Sequence, residues 1–289
     1  MATKKKVRKQ IQAYAFVDTN IYLDFYRAGN EANLKLLERL KPVKDRIICT
    51  YQVEMEFLKN RQSEILKSIR ALKNHQGPIL PAILADSAVS KTLKEKTKEA
   101  NQKTERLKAR LKGLMENPNQ NDQVFQVLEE IFHSESDHVL TRDMPIRHVI
   151  KRRAWRRFIL GYPPRKSNDT SIGDALNWEW MIHCANRLPG KFIIVSRDSD
   201  FGSMFSDEYY LNDQLYREFR DRVGKKSIEY THKLSAALKR LNVTVPKEEL
   251  EAEEESLKET RQRDSDSKHS KDQTLDEILK ELLGEDFEL

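Results

Sequence analysis

Residues 191–205, KFIIVSRDSDFGSMF, decide the fold. Phe192 to Val195 form a short apolar run bounded by polar residues, the pattern of a strand buried on both faces. Asp198 and Asp200 stand where such a strand surfaces. Upstream, YAFVD (14–18) and RIICT (46–50) repeat the short apolar run, and 226–230 is read as a last strand. Helical spacing predicts helices over 19–41, 51–73, 87–115, 123–133, 145–160, 171–188, 209–222 and 232–241. In the helix 145–160, Ile150, Trp155 and Ile159 are expected to face the core, with the arginines in water. Strands alternating with helices predict an α/β sandwich with a mainly parallel sheet.

In such sheets, ligand sites lie beyond the carboxyl ends of the strands. Those ends are acidic here. The first strand ends at Asp18, and the second runs into a helix carrying Glu54 and Glu56. Asp174 lies in the first turn of the helix that precedes the 191–196 strand, which itself leads to Asp198 and Asp200. Each acid alone reads as a turn or helix-cap residue. Together they are four acidic segments aimed at one edge of a basic body. Gathered carboxylates repel, and some retain protons unless a cation joins them. Mg²⁺ and Mn²⁺ take oxygen ligands, including carboxylates, water and phosphate, so the pattern points to metal-assisted phosphodiester chemistry. His133, His138 and His148 have no zinc-ligand spacing.

In order, these blocks resemble the PIN-domain nucleases, over about residues 14–241. They are FVDTN (16–20), the run Val53-Glu-Met-Glu56-Phe57, GDAL around Asp174, and Ser196-Arg-Asp198-Ser-Asp200-Phe201. GYPPRKSNDTSIGDALNWEW and LYREFRDRVGKKSIEYTHKLSAALKRL are similar to a bacterial PIN-like subfamily with a helical insertion. The resemblance implies an α/β/α sandwich and a metal-dependent endonuclease, usually acting on RNA, in which Mg²⁺ or Mn²⁺ activates water. It implies Asp18, Asp174 and Asp198 as metal ligands, and Glu56, the better fit to the second block, as a further catalytic acid. Asp200 is implied as an outer acid or second-metal ligand, with Asn20 and Ser196 orienting carboxylates. Glu179 lies about 140° round the helix from Asp174 and is read as structural or peripheral.

The chain has 289 residues and a net charge of +6. Residues 246–289 hold 16 acids and 7 bases, so residues 1–245 carry +15. A basic body with an acidic tail points to a polyanionic partner. Between 142 and 166 there are 9 bases and 1 acid, interleaved with Trp155, Phe158 and Tyr162. Lys151, Arg152, Arg153, Arg156, Arg157, Arg165 and Lys166 are therefore the expected nucleic-acid contacts. The segments are a flexible basic arm (1–13), the nuclease domain (14–245, insertion about 75–160), a disordered acidic linker (246–273) and an amphipathic helix (274–289). That last helix is expected to dock on a partner or on the chain's own body. A homo-oligomer is compatible with the sequence.

Two cysteines, no secretory leader and no apolar run of membrane-spanning length suit a bacterial cytoplasm. The expected function is an endoribonuclease with a toxin-like or phage-defence role. The alternatives are a DNA nuclease and a non-catalytic nucleic-acid- or protein-binding module.

Overall fold

The computed structural model describes residues 12–77, 79–84, 86–165, 171–260 and 262. The basic arm up to residue 11, Lys166 and the amphipathic segment 274–289 lie outside the described residues.

Five parallel strands form the central sheet in the order β3-β2-β1-β4-β7. They are β1 (Ala13–Val17), β2 (Ile47–Thr50), β3 (Val139–Leu140), β4 (Lys191–Val195) and β7 (Ile228–Thr231). Every residue of β1 and β2 is buried, as expected of strands covered on both faces. A separate antiparallel hairpin joins β5 (Gly202–Phe205) to β6 (Glu208–Leu211). The sequence reading assigned 209–211 to a helix. Alternation of exposed and half-buried residues in β6 marks a strand with one wet face.

The flanking helices make this an α/β sandwich. They are α1 (Thr19–Leu23), α2 (Glu31–Glu38), α3 (Tyr51–Ala71), α4 (Ala88–Glu116), α5 (Pro118–Asn121) and α6 (Gln123–Phe132), then α7 (Arg147–Ile159), α8 (Gly173–Arg187), α9 (Asp213–Val223) and α10 (Leu234–Arg240). The helix expected over 19–41 is broken. A 3₁₀ turn covers Asp24–Tyr26, and α2 restarts where the Asn30 side chain accepts from the Ala32 N–H at 2.9 Å. α8 packs on β2 with α7 and α9 beside it, and α10 packs on β1, β4 and β7. α3 and α4 lie against one another as a long hairpin.

The chain crosses from β1 outward to β2 and β3, then back to β4 and β7 on the other side. β1 and β4 are therefore the point where strand order reverses, the place where open parallel sheets bind ligands. Their register pairs Val17 with Val195, and the Asp18 N–H donates to the Val195 carbonyl at 2.9 Å. Asp18 and Ser196 thus leave the sheet side by side.

Residues 247–260 are helical, where the charged composition predicts disorder. The buried stripe of this helix mixes Ala252 and Leu257 with Glu249 and Glu253. Both acids have partners on the body. Arg39 holds Glu249 by two hydrogen bonds, the Nη2–Oε1 one at 2.6 Å. Glu253 accepts from the Leu234 and Ser235 N–H groups, at 2.5 and 3.3 Å. It thereby caps α10, whose own N-cap residue Lys233 makes no side-chain cap. With two acids at its buried positions and only Ala252 and Leu257 beside them, the burial of this stripe is not visible in the sequence. Glu253→Ala should lower the free energy of unfolding by about 1–2 kcal/mol, read as an earlier denaturant midpoint with an unchanged slope.

Candidate active site

Asp18 sits at the carboxyl end of β1 and caps α1, accepting from the Thr19 N–H at 2.7 Å. It is only 4% exposed. Its Oδ2 accepts from Asn20 Nδ2 at 2.8 Å and from Ser196 Oγ at 2.5 Å. Ser196 Oγ in turn accepts from the Asp198 N–H at 3.0 Å, and Asn20 Oδ1 accepts from the Arg197 N–H at 3.4 Å. Asn20 and Ser196 therefore tie the end of β1 to the loop that follows β4. On α3, Glu56 accepts from Gln52 Nε2 at 2.7 Å and from Thr19 Oγ1 at 3.2 Å.

Asp18, Glu56, Asp174 and Asp198 line one cavity of about 340 Å³, together with Asn20, Gln52, Ser171, Arg27, Lys59 and Asn60. Four elements thus deliver one acid each, as the sequence pattern requires. Glu54 is not among the lining residues, and neither is Asp200, whose N–H donates to Asp198 Oδ1 at 3.3 Å. The Asp200 backbone thereby ties into the loop that follows β4, and its side chain is not among the groups that line the cavity. Gly173 opens α8 against Glu56: a Cβ there would collide with Glu56 Oε1 and stand 2.9 Å from Gln52 Nε2. With no side chain at 173, the ends of the Glu56 and Gln52 side chains rest against the start of α8. Gln52, one helical turn before Glu56, was a missed neighbour; its i, i+4 spacing was the available signal.

A buried ion-pair chain braces the wall. Arg27 Nε binds Glu64 at 2.8 Å, and its Nη1 binds Asp24 at 3.0 Å. Asp24 also pairs with Arg197, within the loop that carries Asp198. Burial raises the Asp24 pKa, and the Arg197 and Arg27 guanidinium groups offset part of that rise.

The basic helix α7 divides. Lys151, Arg152, Arg153, Arg156 and Arg165 are exposed. Arg157 is buried, with Nε and Nη2 both 3.3 Å from Glu179 Oε1 and a further bond to Glu218. Glu179 also takes two hydrogen bonds from Arg222, at 2.8 and 2.7 Å. Burial raises the Glu179 pKa, but Arg222 and Arg157 outweigh it and hold the carboxyl below its usual range. Arg157 therefore locks α7 to α8 and cannot contact a nucleic acid; Glu179 is structural, as its angle from Asp174 suggests. A larger cavity of about 760 Å³, along β6, β7 and α10, is lined by tyrosines and none of the four acids.

A parallel sheet with acids clustered at its strand-order reversal, in a chain that also carries a basic helix, is an arrangement that nuclease folds share. The chain matches the PIN domain family over residues 15–201 and belongs to it. PIN domains are generally metal-dependent nucleases. Neither a curated protein nor a solved structure matches the chain. No helix among the described residues is long and apolar enough to cross a membrane.

Among the described residues no three His, Cys, Asp or Glu side chains form a ready-made metal-ligand group. The donor set nevertheless fits a hard divalent cation. It is all oxygen, and Mg²⁺-type sites take only one or two carboxylates with water and phosphate. Burial, then the negative charges of Asp198 and Glu56, push the Asp18 carboxyl from 3.8 up to about 6, against the hydrogen bonds from Ser196 and Thr19. The folded chain thus holds this proton more tightly than the unfolded chain. Its contribution to stability is complete below about pH 4 and is lost as pH rises through about 6, a difference on the order of 3 kcal/mol. A divalent cation should offset that loss. Mn²⁺ should raise the melting temperature more at pH 7 than at pH 5, and Asp18→Asn should remove the difference; equal shifts at both pH values contradict it.

Proposed function

We propose that the chain is an endoribonuclease that hydrolyses phosphodiester bonds with Mg²⁺ or Mn²⁺. The observation that carries this reading is the convergence of four carboxylates, from four separated segments, on one cavity in an otherwise basic body. Asp18, Asp174 and Asp198 are the proposed metal ligands, and Glu56 the fourth acid. When bound, the divalent cation supplies charge neutralisation and Lewis acidity at the scissile phosphate. Ser196 and Asn20 hold the Asp18 carboxylate in one orientation, so no side-chain search precedes the reaction. Gln52 and Thr19 do the same for Glu56. Lys59 places a positive charge on the same wall, which favours a phosphate over a neutral ligand.

The exposed arginines of α7 support a nucleic-acid substrate, and family habit favours RNA over DNA. Such an enzyme calls for restraint in its host, the ground for proposing a toxin-like or phage-defence role. The acidic tail, laid over the basic groove, is a candidate for that restraint, but removing residues 246–289 tests it poorly because it also strips the docked helix over 247–260.

The deciding experiment incubates the wild type, Asp18→Asn and Asp198→Asn with labelled single-stranded RNA, single-stranded DNA and a flap substrate, with Mn²⁺ or with chelator. RNA should be cut by the wild type alone, chelator should abolish cutting, and Asp198→Asn should fall by several orders of magnitude. Preferential cutting of either DNA transfers the reading to a DNA nuclease. Cutting that survives both substitutions, or no cutting at all, removes the assignment.

A further inference from the structure

The helix α7 was expected to bury Trp155 and Ile159. Instead they are 51% and 72% exposed, and Leu160 and Tyr162 beside them are also open. Ile150, Ala154 and Arg157 hold the inner face of the helix. An exposed tryptophan within a cluster of apolar side chains marks a binding surface more often than chance. This cluster is built. The Trp155 and Phe158 rings stack at 5.7 Å between centroids and 28° between planes. Gly161, at φ +72°, ends the helix in a left-handed turn that sends the chain back over it. Arg165 then lies 4.5 Å above the Phe158 ring, and its Nη1 donates to the Phe158 carbonyl at 2.9 Å.

We propose that Trp155, Phe158 and Arg165 form a stacking platform for the unpaired bases of a single-stranded nucleic acid. This rests on the nuclease reading and names its substrate as unpaired. The occupant follows from charge: α7 contains no acid, and Arg152, Arg153 and Arg156 surround the rings with cations suited to phosphates. A protein partner recognised through apolar contacts alone would not call for so one-sided a charge. The platform also sits close to the chemistry. Arg157 binds Glu179, five residues along α8 from Asp174, about 7–8 Å along the helix axis. Arg165 is six positions from Ser171 in the cavity wall, so their α-carbons are at most about 22 Å apart. The platform is thus joined to the cavity wall by a short stretch of chain. Base pairs hide their faces in the stack, so a duplex lacks what the platform holds.

Of the three tryptophans only Trp155 is open to solvent, Trp178 and Trp180 being buried, so fluorescence quenchable by acrylamide reports on this one ring. The full chain carrying Asp198→Asn, which prevents cutting, is titrated with a uridine oligomer, a thymidine oligomer of equal length and a blunt duplex. Either or both single strands should quench Trp155 and shield it from acrylamide, while the duplex should not. On this background Trp155→Ala should weaken single-strand binding about tenfold, with Trp155→Phe retaining most of the affinity. The proposal fails if single strands bind without changing Trp155 fluorescence, if the duplex quenches equally, or if Trp155→Ala binds as well as its parent. It also fails if Trp155 is already shielded in the free chain, because a protein surface then covers the face. Binding of this kind without cutting sinks the nuclease reading alone; cutting with no role for Trp155 sinks the platform alone.

Discussion

The constraint on which the site depends is the pairing of β1 with β4. Their register brings Val17 opposite Val195, so the residues just beyond each strand emerge together. Asp18 is thereby buried beside the loop that carries Asp198, in a place where a carboxylate is costly. Every polar neighbour that touches it serves to hold that charge in position: the Thr19 amide, the Asn20 amide group and the Ser196 hydroxyl. Burial and like charge raise its proton affinity, and the Ser196 and Thr19 hydrogen bonds limit the rise. A site built in this way stores electrostatic tension that a cation can release. That tension explains why oxygen donors alone, without a ready-made ligand triad, still suit a hard metal.

The distribution of arginine follows a second rule. Arg61, Arg157 and Arg39 are consumed in ion pairs that bind one element to another: Arg61 to Asp122 at 2.6 Å, Arg157 to Glu179, and Arg39 to Glu249. The first two are buried on both sides, where losing one partner is far more damaging than the pair is stabilising. The basic character of the chain therefore overstates its polyanion-binding surface. What is left for a substrate is concentrated on the outer face of α7 and the walls of the acid cavity.

Much of this was legible in the residues. The apolar runs at 14–17 and 192–195 gave their strands because buried parallel strands need no alternation. The four acids could be assigned to one edge because each follows or opens a regular element. Other features depended on tertiary partners. The helix over 247–260 looks fully solvated until Arg39 and the α10 N-terminus are placed beside its acids. Trp155 was read as core because helical spacing cannot say which of two amphipathic faces packs inward, here against α8. Arg157 was indistinguishable from its neighbours until Glu179 and Glu218 converged on it. Asp200 fits the chain pattern but is not among the residues that line the cavity, a distinction set by the path of the loop and not by spacing along the chain.

The chain of ion pairs from Glu64 through Arg27 and Asp24 to Arg197 has a kinetic consequence. It clamps the loop following β4 to α3 through contacts that involve none of the four cavity acids. The loop is thus anchored by contacts independent of the cavity acids, and a substitution among those acids leaves this anchor in place. A cation held by the proposed ligands would then exchange at a rate set by its own dehydration and charge.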